Sequence, residues 1–202
     1  MNIPRTKALV LFTAVTAAAS VSTASAQATV APAAEEHCVI ETAPPPTAGS
    51  DELQIVATSC FDRFDDVLEV LDAPQEIVDR VDQPDQLTSA DMAALGPEAA
   101  AGAAPETSEE PQALASTFTI GVHYDATSAA GTSISVTGSN CSGGYINLST
   151  AWNNRVGATK NGCPVIVHWD GFNIVGTNQQ TTAPGGPLTF MDNRTSSIQY
   201  RS

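Results

Sequence analysis

The stretch VHYDATSAAGT at residues 122–132 decides the fold, because its framework occurs twice. VHWDGFNIVGT at residues 167–177 repeats the V-H-aromatic-D opening and the closing GT at the same spacing. Farther along each copy, NNR at residues 153–155 recurs as DNR at residues 192–194. Two copies of about 40 residues, each rich in short strands, predict two Greek keys packed face to face, since one copy alone would leave its apolar face exposed.

Residues 117–202 contain eight of the eleven aromatic residues, and clusters of Gly, Asn and Ser recur at short spacing. Both features are typical of an all-β sandwich or barrel. From Phe118 to Tyr124, apolar residues alternate with others, which predicts a strand with one buried face. His123 and His168 fall on the opposite strand face. We therefore expect both to face solvent and to have no paired metal or acid–base role.

The charge of the chain is very uneven. The chain has 22 acidic and 8 basic residues, a net charge of −14. Residues 35–110 hold 19 of the acids, whereas residues 117–202 are nearly neutral. Eight scattered basic residues cannot form the stripe that binds phosphates, which argues against a nucleic-acid partner.

The N-terminal residues 1–26 have the layout of a secretory signal peptide. Arg5 and Lys7 precede an uncharged apolar run, and small residues stand at a cleavage position after Ala26. The apolar run is too short to span a bilayer, so we expect a secreted, soluble protein without a membrane anchor. Residues 27–37 are interpreted as a disordered start of the mature chain.

Residues 38–82 predict a small separate unit made of a hairpin and a helix. Apolar runs at 38–40 and 53–57 suggest the two strands, and apolar residues at helical spacing follow until Pro74. Residues 83–116 lack aromatics and are interpreted as a disordered acidic linker, with a transient helical turn at 89–95. A boundary to the β domain falls near residue 116.

The four cysteines allow three pairings. Cys38 with Cys60 and Cys141 with Cys163 is the favoured set, because each pair lies within one block of composition. No spacing among the cysteines suggests a zinc site.

Residues 117–202 resemble a βγ-crystallin domain. The family has an aromatic corner closed by glycine, which Tyr124 with Gly131 and Trp169 with Gly176 match, although the middle aromatic is replaced in both copies. The family's other motif, Asn/Asp, Asn/Asp, two residues, Ser/Thr, Ser, is matched at every position by residues 192–197. The resemblance implies an all-β, βγ-crystallin-like double Greek-key sandwich at residues 117–202.

In that family the second motif forms a calcium clamp, and the resemblance implies calcium as a cofactor here. The implied ligands are the side chains of Asn153 or Asn154 with the Arg155 carbonyl in the first copy, and those of Asp192 or Asn193 with the Arg194 carbonyl in the second. By the same resemblance, the fifth-position hydroxyl, here that of Ser196, reaches across to the site of the other repeat. Residues 153–158 match only the first half of the motif, because Gly157 has no hydroxyl. One site should lack a ligand and calcium should bind weakly, at about 10⁻⁴ M or worse. The alternative is that these polar residues only hydrogen-bond a tight turn. We expect Gly157→Ser to restore the missing ligand.

No catalytic constellation can be assembled from this sequence, which favours a non-enzymatic protein. We expect a secreted monomer whose role is structural, through calcium, or recognition of an extracellular protein. The resemblance extends to crystallin-fold inhibitors of metalloproteases from bacteria, so the alternative function is inhibition of an extracellular metalloprotease.

Overall fold

The structure is a computed structural model that describes residues 36–96 and 117–202. The predicted signal peptide, most of the predicted N-terminal segment 27–37 and residues 97–116 lie outside these ranges. In the first range the strands and helices are β1 His37–Ala43, β2 Gln54–Phe61, α1 Phe64–Val70, α2 Gln75–Val78, a 3₁₀ turn Pro84–Gln86 and α3 Ser89–Ala94. In the second they are β3 Phe118–Tyr124, β4 Ser133–Gly138, β5 Ser142–Asn147, β6 Ala158–Asn161, β7 Val165–Trp169, a 3₁₀ turn Phe172–Ile174, β8 Asn178–Thr182, β9 Gly185–Pro187 and β10 Ser197–Arg201.

The strands form two sheets packed face to face. Sheet A has the order β2-β1-β4-β3-β6-β9, and sheet B has the order β5-β10-β7-β8. The first repeat supplies β3 to β6 and the second supplies β7 to β10. Each repeat gives its third strand to the other sheet, so β5 pairs with β10 and β9 pairs with β6. The predicted double Greek-key sandwich is confirmed, and neither sheet is complete without both repeats.

The central strands β3 and β4 of sheet A are buried on both faces. In β3 every residue is buried, and a β-bulge between Thr119 and Gly121 changes which side chains face inward. Ile120 packs in the core between the two sheets, whereas Val122 and Tyr124 pack against the helices on the other side. The prediction of one buried face is therefore wrong for β3, because α1 to α3 cover the face that a two-layer sandwich would leave in water.

The N-terminal hairpin belongs to the sandwich. Its strands and the amphipathic helix after it form as predicted, and Phe64, Val67 and Leu68 of α1 are completely buried. Each such side chain stabilises the packing by about 1.5–3 kcal/mol. However, β1 pairs in parallel with β4, from His37 opposite Ser133 onward, and the described residues 36–96 and 117–202 belong to one compact unit. The prediction of a separate unit at 38–82 is wrong because the hairpin continues sheet A.

The predicted linker begins too early, since residues 83–96 are part of the folded unit. Thr88 caps α3 by a capping box with Asp91, and Met92 and Leu95 are buried against the sheet. The Arg80 guanidinium lies 2.5 Å from the Asp91 carboxylate. Leu87, Met92 and Leu95 bury their side chains here, which opposes the entropy cost of ordering the segment and which the average composition of residues 83–116 does not indicate.

Lys160 on β6 holds the segment 84–87 against sheet A by hydrogen bonds. Its Nζ donates to the carbonyls of Pro84 at 3.1 Å and Asp85 at 2.7 Å, and also to that of Leu87. Burial lowers the pKa of Lys160, and the nearby carboxylates of Asp85 and Asp91 partly oppose this.

No helix within the described ranges is long and apolar enough to cross a bilayer.

Candidate functional site

The two predicted clamp motifs lie side by side. The Asn154 amide donates to the Thr195 carbonyl at 2.9 Å, and the Asn193 amide donates to the Val156 carbonyl at 3.0 Å. Asn154 and Asn193 have positive φ angles of 60° and 54°. Asn tolerates this left-handed conformation better than most residues, which explains the residue type at the second position of each motif. The structure therefore brings the start of each motif against the end of the other.

Arg155 and Arg194 hold each motif to the aspartate of its own repeat. Nη2 of Arg155 lies 3.2 Å from Oδ2 of Asp125, and Nη2 of Arg194 lies 3.2 Å from Oδ2 of Asp170. Each guanidinium also donates to the carbonyl of the residue four positions before it. The side chains are partly exposed, so these ion pairs add little stability but fix the geometry. They explain why the VH-aromatic-D and NR elements repeat together.

The fifth position of the second motif, Ser196, places its hydroxyl beside the backbone carbonyl of Asp170 in the loop after β7. The amide of Ser196 donates to the Trp169 carbonyl at 2.7 Å, and its Oγ donates to the Asp170 carbonyl at 3.0 Å. Both oxygens are of the kind that calcium prefers. Ser196 is buried, so its hydroxyl is presented by a fixed backbone.

The same position of the first motif is closed. The Gly157 amide donates to the Tyr124 carbonyl at 2.7 Å, which matches the bond made by Ser196. A Cβ on Gly157 would lie 2.9 Å from the Asp125 carbonyl oxygen and equally close to backbone atoms of Ala126 and Thr127. The expectation that Gly157→Ser restores a ligand is wrong, because the loop occupies the space that the side chain would need.

The first positions of the motifs also differ. Oδ1 of Asn153 is buried and has no hydrogen-bond partner among the described residues. Oδ1 of Asp192 accepts from Nδ2 of Asn193 at 3.1 Å. An unpaired buried oxygen costs about 1–3 kcal/mol unless something else binds it. The first motif thus offers an unpartnered amide oxygen but neither a charge nor a fifth-position hydroxyl, whereas the second motif offers the Asp192 carboxylate and the Ser196 hydroxyl.

Both predicted disulfides are confirmed, Cys38–Cys60 and Cys141–Cys163. The first joins β1 to β2 within the hairpin, where the two cysteines are register partners. Glu36 lies close to this disulfide and forms, within the described ranges, a group of three potential metal-ligating residues with the two cysteines. Disulfide sulfurs cannot act as thiolates, so this group is not a metal site.

His123 and His168 meet in the core between the sheets. Both are completely buried, and Nε2 of His168 lies 3.4 Å from Nδ1 of His123. Nε2 of His123 lies 3.0 Å from the hydroxyl of Tyr200. The expectation of two solvent-facing residues is wrong, because the bulge in β3 turns His123 toward sheet B. The repeat could have predicted this contact, since repeat-equivalent residues that lie near an approximate twofold axis face each other.

The environment of this pair favours neutral rings. Burial lowers the pKa of His123 well below its ordinary value, and the neighbouring His168 lowers it further. Burial lowers the pKa of His168 to about 3, although a hydrogen bond with the backbone of Gln179 opposes the shift. The pair is thus a neutral polar contact that links the two sheets.

Comparisons with known proteins identify one group of similar structures. No protein-family model matches the chain, and no curated protein matches it. A βγ-crystallin domain from Clostridium beijerinckii is similar at 18% identity, over 41% of this chain and 99% of that one, with a TM-score of 0.34. A double mutant of that domain is similar at 19% identity, over 41% and 97%, with the same TM-score. Because each repeat gives its third strand to the other repeat's sheet, the sandwich has a βγ-crystallin-like fold.

Proposed function

We propose that the protein is a secreted, non-enzymatic βγ-crystallin-like protein that binds calcium weakly and uses it to stabilise the sandwich. The observation that carries the proposal is the unpartnered, buried Oδ1 of Asn153, in a motif whose Asn154 amide donates to the carbonyl of Thr195, the residue before Ser196. The candidate ligands are all oxygen atoms, which suits a hard cation. In the cross-repeat arrangement that the resemblance implies, Asn153, the Ser196 hydroxyl and the Asp170 carbonyl would hold one ion, and Asp192 is the charged candidate of the second site.

The disulfides support an oxidising compartment. Two disulfides and no free cysteine among the described residues are typical of proteins outside the cytoplasm. This agrees with the predicted signal peptide at residues 1–26, and supports the proposed secretion.

The chemistry of the described residues favours a non-enzymatic role. The Ser133 hydroxyl lies 2.9 Å from Nδ1 of His37, but both residues are buried, at 1% exposure each. A substrate cannot reach such a pair. Asp125 and Asp170 are engaged by arginines rather than facing a shared cleft.

The calcium proposal is tested by thermal unfolding with and without calcium. A calcium concentration about ten times the dissociation constant should stabilise the wild type by about 1.4 kcal/mol. Ser196→Ala should abolish most of the shift, because it removes the fifth-position hydroxyl. Ser59→Ala, which removes an exposed hydroxyl from β2, is the matched control and should keep the full shift. If millimolar calcium leaves the wild-type melting temperature unchanged, the polar residues of the motifs only stabilise tight turns and the calcium proposal is wrong.

A second candidate, inhibition of an extracellular metalloprotease, is favoured by one loop. Between β7 and β8, Phe172 and Val175 are 47% and 59% exposed. The loop is nevertheless ordered by backbone hydrogen bonds from Gly171 to Val175 at 3.1 Å and from Asp170 to Thr177 at 3.0 Å. A rigid loop with apolar tips suits a protease cleft. Near-stoichiometric inhibition of an enzyme in a panel of secreted metalloproteases, lost in Phe172→Ser, would establish this function. If the wild-type protein inhibits none of them, those enzymes are excluded as targets.

A further inference from the structure

A cavity of about 210 Å³ lies between the C-terminal end of α1 and the helix-covered face of sheet A. Its floor is formed by the buried strand residues Thr119 and Thr137. Glu41, Asp72 and Thr117, which are exposed, lie around its mouth. The cavity is separate from both clamp motifs, none of whose residues lines it.

Strand register brings three of these side chains into one row. Glu41 on β1 is the register partner of Thr137 on β4, and Thr137 is the partner of Thr119 on β3. Neighbouring strands lie about 5 Å apart, so side chains at paired positions on one face are neighbours. Asp72 approaches the row from the end of α1, so two carboxylates and two hydroxyls surround one space.

The hydroxyl of Thr137 is the feature that points to a ligand. Thr137 is only 7% exposed, and its Oγ1 has no hydrogen-bond partner among the described residues. A buried hydroxyl facing a polar cavity needs a partner inside that cavity. The nine residues that line the cavity include two acids and no lysine, arginine or histidine. The partner should therefore carry positive charge.

We propose that this cavity binds a hydrated divalent cation. A space of about 210 Å³ has room for an ion together with several waters, each of which takes about 30 Å³. Magnesium is commonly held by one or two carboxylates while it keeps several waters, and calcium accepts carboxylate, hydroxyl and water oxygens together. Glu41 and Asp72 supply the charge at the mouth, and Thr137 anchors a metal-bound water at the floor.

Manganese broadening in NMR spectra tests the site directly. The isotope-labelled protein is titrated with manganese chloride, and the amide signals of Thr119 and Thr137 should broaden before those of Asn154 and Ser196. Millimolar magnesium or calcium should reverse the broadening, and comparing the two salts shows which ion the site prefers. If the signals near the cavity broaden no earlier than those of the rest of the acidic surface, the proposal is wrong.

Charge-matched variants separate a built site from general acidity. Glu41→Gln and Asp72→Asn should each weaken manganese binding by about tenfold, because affinity in such sites follows the number of charged ligands. Glu69→Gln removes the same charge from an exposed position on α1 outside the cavity, and should leave binding unchanged. Equal weakening by Glu41→Gln and Glu69→Gln would overturn the proposal. Ser196→Ala should not affect this site, so its outcome is independent of the calcium clamp.

Discussion

Acid should destabilise this protein in a pH range where few carboxylates titrate, because of the buried histidine pair. His168 has its pKa lowered from 6.5 to about 3 in the folded state. Below pH 6.5, His168 therefore binds a proton in the unfolded chain but stays neutral in the folded chain until the pH approaches 3. Stability is complete above pH 6.5 and falls as the pH approaches 3, and His123 acts in the same direction.

The size of the effect follows from the shift. At pH 5 the medium is about 1.5 units below the ordinary histidine pKa, so His168 alone should lower the free energy of unfolding by about 2 kcal/mol relative to neutral pH. Asp91 adds to the loss only in a more acidic range. Burial raises the pKa of Asp91, but hydrogen bonds from Arg80 and Thr88 lower it by more, below 3.8.

Urea unfolding between pH 7 and pH 5 measures this loss. His168→Gln keeps a polar side chain but cannot titrate, so the free energy of unfolding should depend less on pH than in the wild type. Glu69→Gln, on the exposed face of α1, should keep the wild-type dependence. Because the His168 variant could lose its fold, NMR titration of the wild-type histidine rings provides a second measurement. Rings of His123 and His168 that protonate near pH 6.5 in the folded protein would refute the reasoning.

Three further outcomes are expected. Gly162→Ala should destabilise the protein by about 3 kcal/mol or more in urea unfolding, since a Cβ there would lie 1.9 Å from the Thr119 carbonyl oxygen; Gly186→Ala, which meets nothing within 4 Å, should be nearly neutral. Lys160→Met should cost about 1–3 kcal/mol and speed amide exchange in α3, because it leaves three carbonyls without their donor; unchanged exchange would contradict the anchoring role. After cleavage at a protease site inserted within residues 97–116, the two fragments should co-elute in size exclusion, since β1 remains paired with β4; separation without denaturant would contradict a single folded unit.

The internal repeat made the sandwich predictable from sequence. Two copies that each need a partner leave few arrangements, and the spacing of 45 residues between the V-H-aromatic-D elements aligned the strands correctly. The helical spacing of Phe64 and Leu68 and the block composition around each cysteine pair were local signals, and they were sufficient for α1 and for both disulfides.

The features that local patterns could not show depend on contacts between distant segments. Alternation in β3 shows that two faces differ but not which one meets sheet B, and the bulge before Gly121 reverses the inward face. The parallel pairing of β1 with β4 joins positions 96 residues apart, such as His37 and Ser133. The crowding around Gly157 comes from a loop about 30 residues earlier in the chain, so the motif alone suggested free space.

The location of β10 has a consequence for the order in which the protein can assemble. Ser197–Arg201 lies in the middle of sheet B, between β5 and β7, rather than at its edge. During synthesis, β5 and β7 emerge before β10, which joins them. Until β10 is made, the edge of each strand that pairs with it has no hydrogen-bond partner there. Sheet B therefore closes only when β10 arrives, in one late step that brings the two halves of the sandwich together.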